Sequence, residues 1–144
     1  MFKKILLPVD LQETALSDRA VGIASDLADH CGSEIVVLTV IPDFGMPLVA
    51  NYFPEDAMRQ AQADVRNELA RFVEDRLGNS KVPVTIDVAQ GSPHKVVVHY
   101  AARHGIDLII TPSRAKDIGK IFLGSSATQI AERAPCSVMI VRSN

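Results

Sequence analysis

The chain switches between two hydrophobic periods, and the switches mark out its elements. Ile5 to Val9 is a short unbroken apolar run, the pattern of a strand covered on both faces. Asp10 and a polar turn through Thr14 follow. Leu16, Ala20, Ile23, Ala24, Leu27 and Ala28 then recur at helical spacing, so a first helix is predicted. His30-Cys31-Gly32 closes it, with Gly32 free to take the left-handed conformation.

Ile35 to Ile41 is a second β-branched run, stopped by Pro42. Pro42 to Pro54 carries Phe44, Leu48, Tyr52 and Phe53 among Pro and Gly, and reads as a long loop, either a lid or contact surface or an irregular flap on its own domain. Met58, Ala61, Val65, Leu69, Phe72 and Val73 give one face of a long helix ending at Gly78. Its other face, with Arg59, Asp64, Arg66, Glu68, Asp75 and Arg76, reads as solvated. Val84 to Ala89 interleaves polar residues like an edge strand. Ser92 and Pro93 open a helix as N-cap and first residue, and Val96, Val97, Tyr100 and Ala101 form its apolar face up to Gly105. Asp107 to Thr111 is a fourth strand. Ser125 to Arg133 is a short helix with Ala127, Ile130 and Ala131 turned inward, and Ser137 to Val141 is the fifth strand.

Strand and helix therefore alternate, and each crossover carries a helix. The expected fold is one α/β domain over residues 1–144: a doubly wound, five-stranded parallel sheet with helices on both faces, Rossmann-like, in strand order 3-2-1-4-5. Ligands of such sheets lie outside the carboxyl ends of the strands, where strand order reverses. Those ends are Val9-Asp10, Val40-Ile41, Ala89-Gln90, Thr111-Pro112 and the chain terminus.

Composition narrows the classes. Fifteen basic and 17 acidic residues are spread along the chain for a net charge of −2, with no basic block, which argues against a nucleic-acid partner. The three apolar residues before Pro8 are too few for a signal-peptide core, and no apolar stretch nears the roughly 20 residues that span a bilayer, so no membrane insertion is expected. Cys31 and Cys136 stand far apart in no metal-ligand spacing and read as free, buried or half-buried thiols in a reducing cytoplasm. His30, His94, His99 and His104 form no paired-ligand pattern, and no metal site is expected; His99 and His104 read as lining the exposed face of one helix. Phosphate-loop, dinucleotide and nucleophile-elbow motifs are absent.

The chemistry left is in the segment from Thr111 to Ala127, which joins a buried strand to a helix opening at Gly124-Ser125-Ser126. A helix N-terminus offers unpaired N–H groups and partial positive charge, suited to a phosphate. Arg114, Lys116 and Lys120 add cations from the same loop. A plain N-cap is the structural alternative for the serines.

Several features occur together: Pro8-Val9-Asp10 ending the first strand, Val40 ending the second, Asp-Leu-Ile-Ile before the loop, the Gly-Ser turn, and the closing Ala134-Pro135-Cys136-Ser137-Val138-Met139-Ile140-Val141-Arg142. This combination resembles the universal stress protein family over the whole chain. The resemblance implies ATP, with Mg²⁺, at the switch point of the sheet. Asp10 would then accept hydrogen bonds from the ribose hydroxyls, with capping of the first helix as its structural alternative. Val9 and Val40 would flank the adenine. Gly124, Ser125 and Ser126 would hold the phosphates, with Pro8, Thr111, Pro112, Ser113, Arg114 and Ala127 completing the site.

The ATP-binding members usually carry glycines where this chain has Pro112 and Ala115, and one more residue before Gly124. Pro112 has no N–H to offer, and Ala115 disfavours a positive φ. The shorter, glycine-poor loop resembles an enterobacterial branch that still binds nucleotide. The resemblance also implies a homodimer through the last strand, at Val138, Met139, Ile140 and Val141. No general base can be named, so the function expected is a dimeric, nucleotide-dependent stress-response module, at most a slow ATP hydrolase. The alternative is a nucleotide-free dimeric scaffold that signals through protein partners.

Overall fold

Each of the five expected strands is found in one parallel sheet, in the order β3-β2-β1-β4-β5. The computed structural model describes residues 1–42, 55–113 and 125–142. Arg114 to Gly124, and all of the Pro42–Pro54 loop except Pro42 itself, lie outside the described residues. The strands are β1 (Lys4–Pro8), β2 (Glu34–Ile41), β3 (Val84–Gln90), β4 (Leu108–Pro112) and β5 (Ser137–Val141). A 3-10 turn over Thr14–Ser17 leads into α1 (Asp18–Cys31); α2 (Glu55–Leu77), α3 (Pro93–Arg103) and α4 (Ser125–Arg133) are the later helices. The expected doubly wound α/β architecture and its strand order are both found.

The two-residue period of a strand sorts side chains between two cores. Ile5, Leu7, Ile35, Val37, Leu108 and Ile110 face α1 and α2, where Ala20, Ala24, Ala28, Leu69 and Phe72 meet them. Leu6, Val36, Leu38 and Ile109 face the other way, against Val97 and Ala101 of α3 and Ile130 of α4. Continuous apolar runs were required because β1, β2 and β4 are covered on both sides. The alanine stripe of α1 is wholly buried, which lets that helix lie close on the sheet. Gly32 ends α1 at φ 69°, in the left-handed region anticipated for it.

The amino ends of the strands are tied independently of the ladder. Asp107 accepts the Lys3 and Lys4 N–H groups at 2.8 and 3.0 Å, and the Ser33 hydroxyl donates to the Phe2 carbonyl at 2.6 Å. Fixed below, the sheet presents its carboxyl ends in a set register above.

Some expectations from periodicity fail. Ala131 and Ala61 are exposed, since the contact stripes of α4 and α2 are narrower than a full helical face. Leu16 sits in the 3-10 turn rather than in α1. Ser92 and Pro93 hold the N-cap and first position of α3 as expected, although the Ser92 side chain makes no capping hydrogen bond.

Candidate functional site

Because β1 lies between β2 and β4, the chain leaves it towards one side of the sheet and returns on the other. The switch point is therefore between the carboxyl ends of β1 and β4. Pro8, the half-buried last residue of β1, opens it.

Val9 is a brace. Its side chain is buried in the core under α1 and α2, its N–H donates to the Leu38 carbonyl at 2.8 Å, and its carbonyl accepts the Thr39 hydroxyl at 2.9 Å. Val40, by contrast, packs on the α3 and α4 side. The two valines expected to flank one ring thus turn their side chains to opposite faces. The paired register of β1 and β2 stops at Pro8 and Leu38. Val40 alternates with Leu38, so its N–H and C=O point to the β1 side just past that stop, where a backbone edge can meet a ligand.

Asp10 is half-buried in the turn that carries the chain off β1. Its Oδ1 accepts the Gln12 N–H at 2.9 Å and its carbonyl accepts the Glu13 N–H at 3.1 Å. It does not cap α1, whose N-cap is Ser17. The intervening 3-10 turn separates the carboxylate from the helix and leaves it at the crevice rim, and this corrects the capping alternative.

On the other side of the switch point, Thr111 and Ser113 are buried at 5 and 2 % exposure and Pro112 is half-buried. The Ser113 N–H donates to the Val141 carbonyl at 2.9 Å, so β5 holds the exit of β4. Pro112 ends β4 in register with Val141, where a missing N–H interrupts the ladder least. Arg114 and Gly124 lie outside the described residues. Ser125 is exposed, Ser126 half-buried and Ala127 buried at the start of α4, whose first turn has no acidic residue. Such a turn suits an anion. A carboxylate for hydroxyls on one side and a carboxylate-free helix start on the other is a donor and acceptor set that fits a nucleotide.

Sequence patterns gave no sign of the Thr39 hydroxyl brace, since Thr39 reads as one more member of an apolar strand. Two titrating groups among the described residues, Tyr100 and Cys136, are held away from their ordinary values. Burial, then the hydrogen bond to Asp87, then the charge of Asp87 push the Tyr100 phenol up to about 12. Burial, then the charge of Asp107, raise the Cys136 thiol.

The sequence model of the universal stress protein family matches residues 1–142. Universal stress protein G of Shigella flexneri is 32% identical, the match covering 99% of this chain and 100% of that protein. A universal stress protein of Thermus aquaticus is 31% identical over the same shares. Among solved structures, universal stress protein UspA from Lactobacillus plantarum superposes with a TM-score of 0.78 at 22% identity, covering 98% of each chain. A universal stress protein solved in complex with cAMP superposes at 0.70 and 21% identity, over 99% of this chain and 98% of that one. At these identities the structures speak for the fold, whereas the family match spans both halves of the sheet and the crevice between them. The chain belongs to the universal stress protein family.

Proposed function

We propose that this chain binds ATP, carried with Mg²⁺, at the β1–β4 switch point and acts as a dimeric, nucleotide-dependent stress-response module. The observation that carries the reading is the place of Asp10, a half-buried carboxylate held in its own turn at the end of β1 instead of capping a helix. There it accepts the ribose hydroxyls. The outward backbone of Val40 meets the adenine edge, and Val9 with Pro8 sets the floor. Ser125, Ser126 and Ala127 open α4 towards the phosphates, with Gly124 and Arg114 assigned to the same role from the sequence. Thr111, Pro112 and Ser113 form the β4 side. When bound, Mg²⁺ neutralises phosphate charge; the chain's own part is to position and to shield. A relative of this fold solved in complex with cAMP supports a nucleotide as the ligand class.

The two sheet edges support the dimer. On β3, the Ile35 N–H to Pro83 C=O bond and the Gly91 N–H to Ile41 C=O bond fix the alternation, so Val84, Ile86 and Val88 turn their backbone groups outward. The Asp87 carboxylate accepts the outward Val88 N–H at 2.9 Å and places charge on that edge. On β5, Val141 directs its backbone to β4, so Val138 and Ile140 turn their backbone groups outward, and among the described residues no carboxylate guards them. Met139 is 36% exposed, while Val141 is committed to its own core. Antiparallel pairing of β5 with its twin covers the open edge. A cytoplasmic location is supported by Cys31 and Cys136, both free and half-buried.

Calorimetric titration with ATP and Mg²⁺ tests the reading. Saturable binding by the wild type, lost in Asp10→Ala and Gly124→Val, is expected. Absence of binding at millimolar ATP favours instead the nucleotide-free scaffold, the reading to which Pro112, with no N–H, lends its weight.

A further inference from the structure

A groove of about 570 Å³ runs along α3 and meets the carboxyl end of β3 at Ala89 and Gln90. Two adjacent rows of α3 line it, each repeating every four residues: Lys95, His99 and Arg103 in one, and Val96, Tyr100 and the following His104 in the other. Four residues of helix rise about 6 Å, so the three basic side chains form a ladder with that spacing. All three are exposed, and among the described residues none has an ion-pair or hydrogen-bond partner for its side chain.

The second row is half-apolar and rigid. His104 stacks on Tyr100 with ring centroids 3.9 Å apart, and the Tyr100 hydroxyl is fixed on Asp87 at 2.9 Å. Asp87 also accepts the Val88 N–H, so both oxygens of that carboxylate are engaged. From Gly91 to Ile106 the chain has no acidic residue, although it carries 17 in all. A basic stripe on an otherwise acidic protein, beside a fixed aromatic pair, is thus built into one helix.

We propose that this groove docks an acidic segment of a partner protein. In an extended segment, alternate side chains recur at about 6.6 Å, close to the spacing of the basic ladder. Carboxylates on one face then meet Lys95, His99 and Arg103, while apolar side chains on the other face meet Val96 and Tyr100. An open groove with exposed cations suits an extended chain better than an enclosed small molecule, most of whose surface a pocket would bury. The site lies on α3, outside the crevice, and does not depend on nucleotide binding.

Fluorescence anisotropy with a fluorescein-labelled peptide of alternating Glu and Leu, at low salt and without nucleotide, tests this. Wild-type protein is expected to bind saturably and to lose affinity as salt rises. The double variant Lys95→Glu, Arg103→Glu should bind about tenfold more weakly, while Arg66→Glu, Arg71→Glu, with the same charge change on exposed positions of α2, should match the wild type. Should charge reversal disturb α3, read by circular dichroism, Lys95→Gln with Arg103→Gln replaces it. No saturable binding, equal losses in both double variants, or tighter binding of an oligothymidylate or of tripolyphosphate than of the peptide would overturn the proposal.

Discussion

The Tyr100 hydroxyl donates a 2.9 Å hydrogen bond to Oδ2 of Asp87, and Oδ1 of the same carboxylate accepts the N–H of Val88. One side chain therefore ties α3 to β3 and closes part of the β3 edge. Because burial and Asp87 both favour the neutral phenol, Tyr100 titrates at about 12 in the folded protein against 10.0 for the free group. A raised folded-state value means that the stabilisation is complete below pH 10 and is lost as pH climbs through about 12.

In a Tyr52→Phe background Tyr100 is the sole tyrosine, and the chain has no tryptophan, so ultraviolet absorbance reads the phenol directly. A midpoint near 12 is expected, falling part of the way towards 10 in Asp87→Ala because burial, the larger cause, remains. A midpoint that does not move in Asp87→Ala would show that the pair does not form. Tyr100→Phe should cost about 1 kcal/mol at neutral pH, read by urea denaturation.

Edge asymmetry predicts the assembly. Val138→Arg with Ile140→Glu, whose backbone groups turn outward on β5 while the Val138 side chain packs under α3 and α4, should sediment as a monomer with its circular dichroism retained, where the wild type sediments as a dimer. If the double variant stays dimeric, the interface is elsewhere.

Ser17 is 1% exposed, and among the described residues its hydroxyl has no hydrogen-bond partner. It occupies the N-cap position of α1 without making a side-chain cap bond, so its removal gives up no cap. Ser17→Ala should raise stability by about 1 kcal/mol, a gain of about 3 °C in melting temperature. A fall of that size would mean that the hydroxyl does have a partner.

The Thr39 brace predicts a link from sheet to crevice. Thr39→Val keeps the shape and loses the 2.9 Å bond to the Val9 carbonyl, leaving that acceptor buried. A stability loss of about 1 kcal/mol is expected. ATP affinity should also fall, because Asp10 follows directly on Val9. Unchanged affinity with the stability loss would detach the brace from the site.

Much of this architecture was legible because strands covered on both faces need unbroken apolar runs, as Ile5 to Leu7 and Ile35 to Leu38 show. Periodicity names a buried position but not the core that receives it, so Val9 and Val40 could be placed at strand ends and not on opposite faces. It also overextends short helices: Ala131 fits the spacing of α4, yet it is exposed. The Asx turn at Asp10 and the 3-10 turn before α1 depend on local hydrogen bonds that compete with helix formation, and these moved Asp10 from cap to crevice. The α3 groove needed the fold, since only the sheet edge makes a wall beside the basic row.

The role of Asp10 is tested most directly by titrating wild type and Asp10→Ala with ATP and with 2′,3′-dideoxy-ATP in the presence of Mg²⁺. Wild type should bind ATP saturably and the dideoxy analogue about tenfold more weakly, while Asp10→Ala should bind both equally and weakly. Equal binding of the two nucleotides by the wild type, or an Asp10→Ala variant that still distinguishes them, would contradict it.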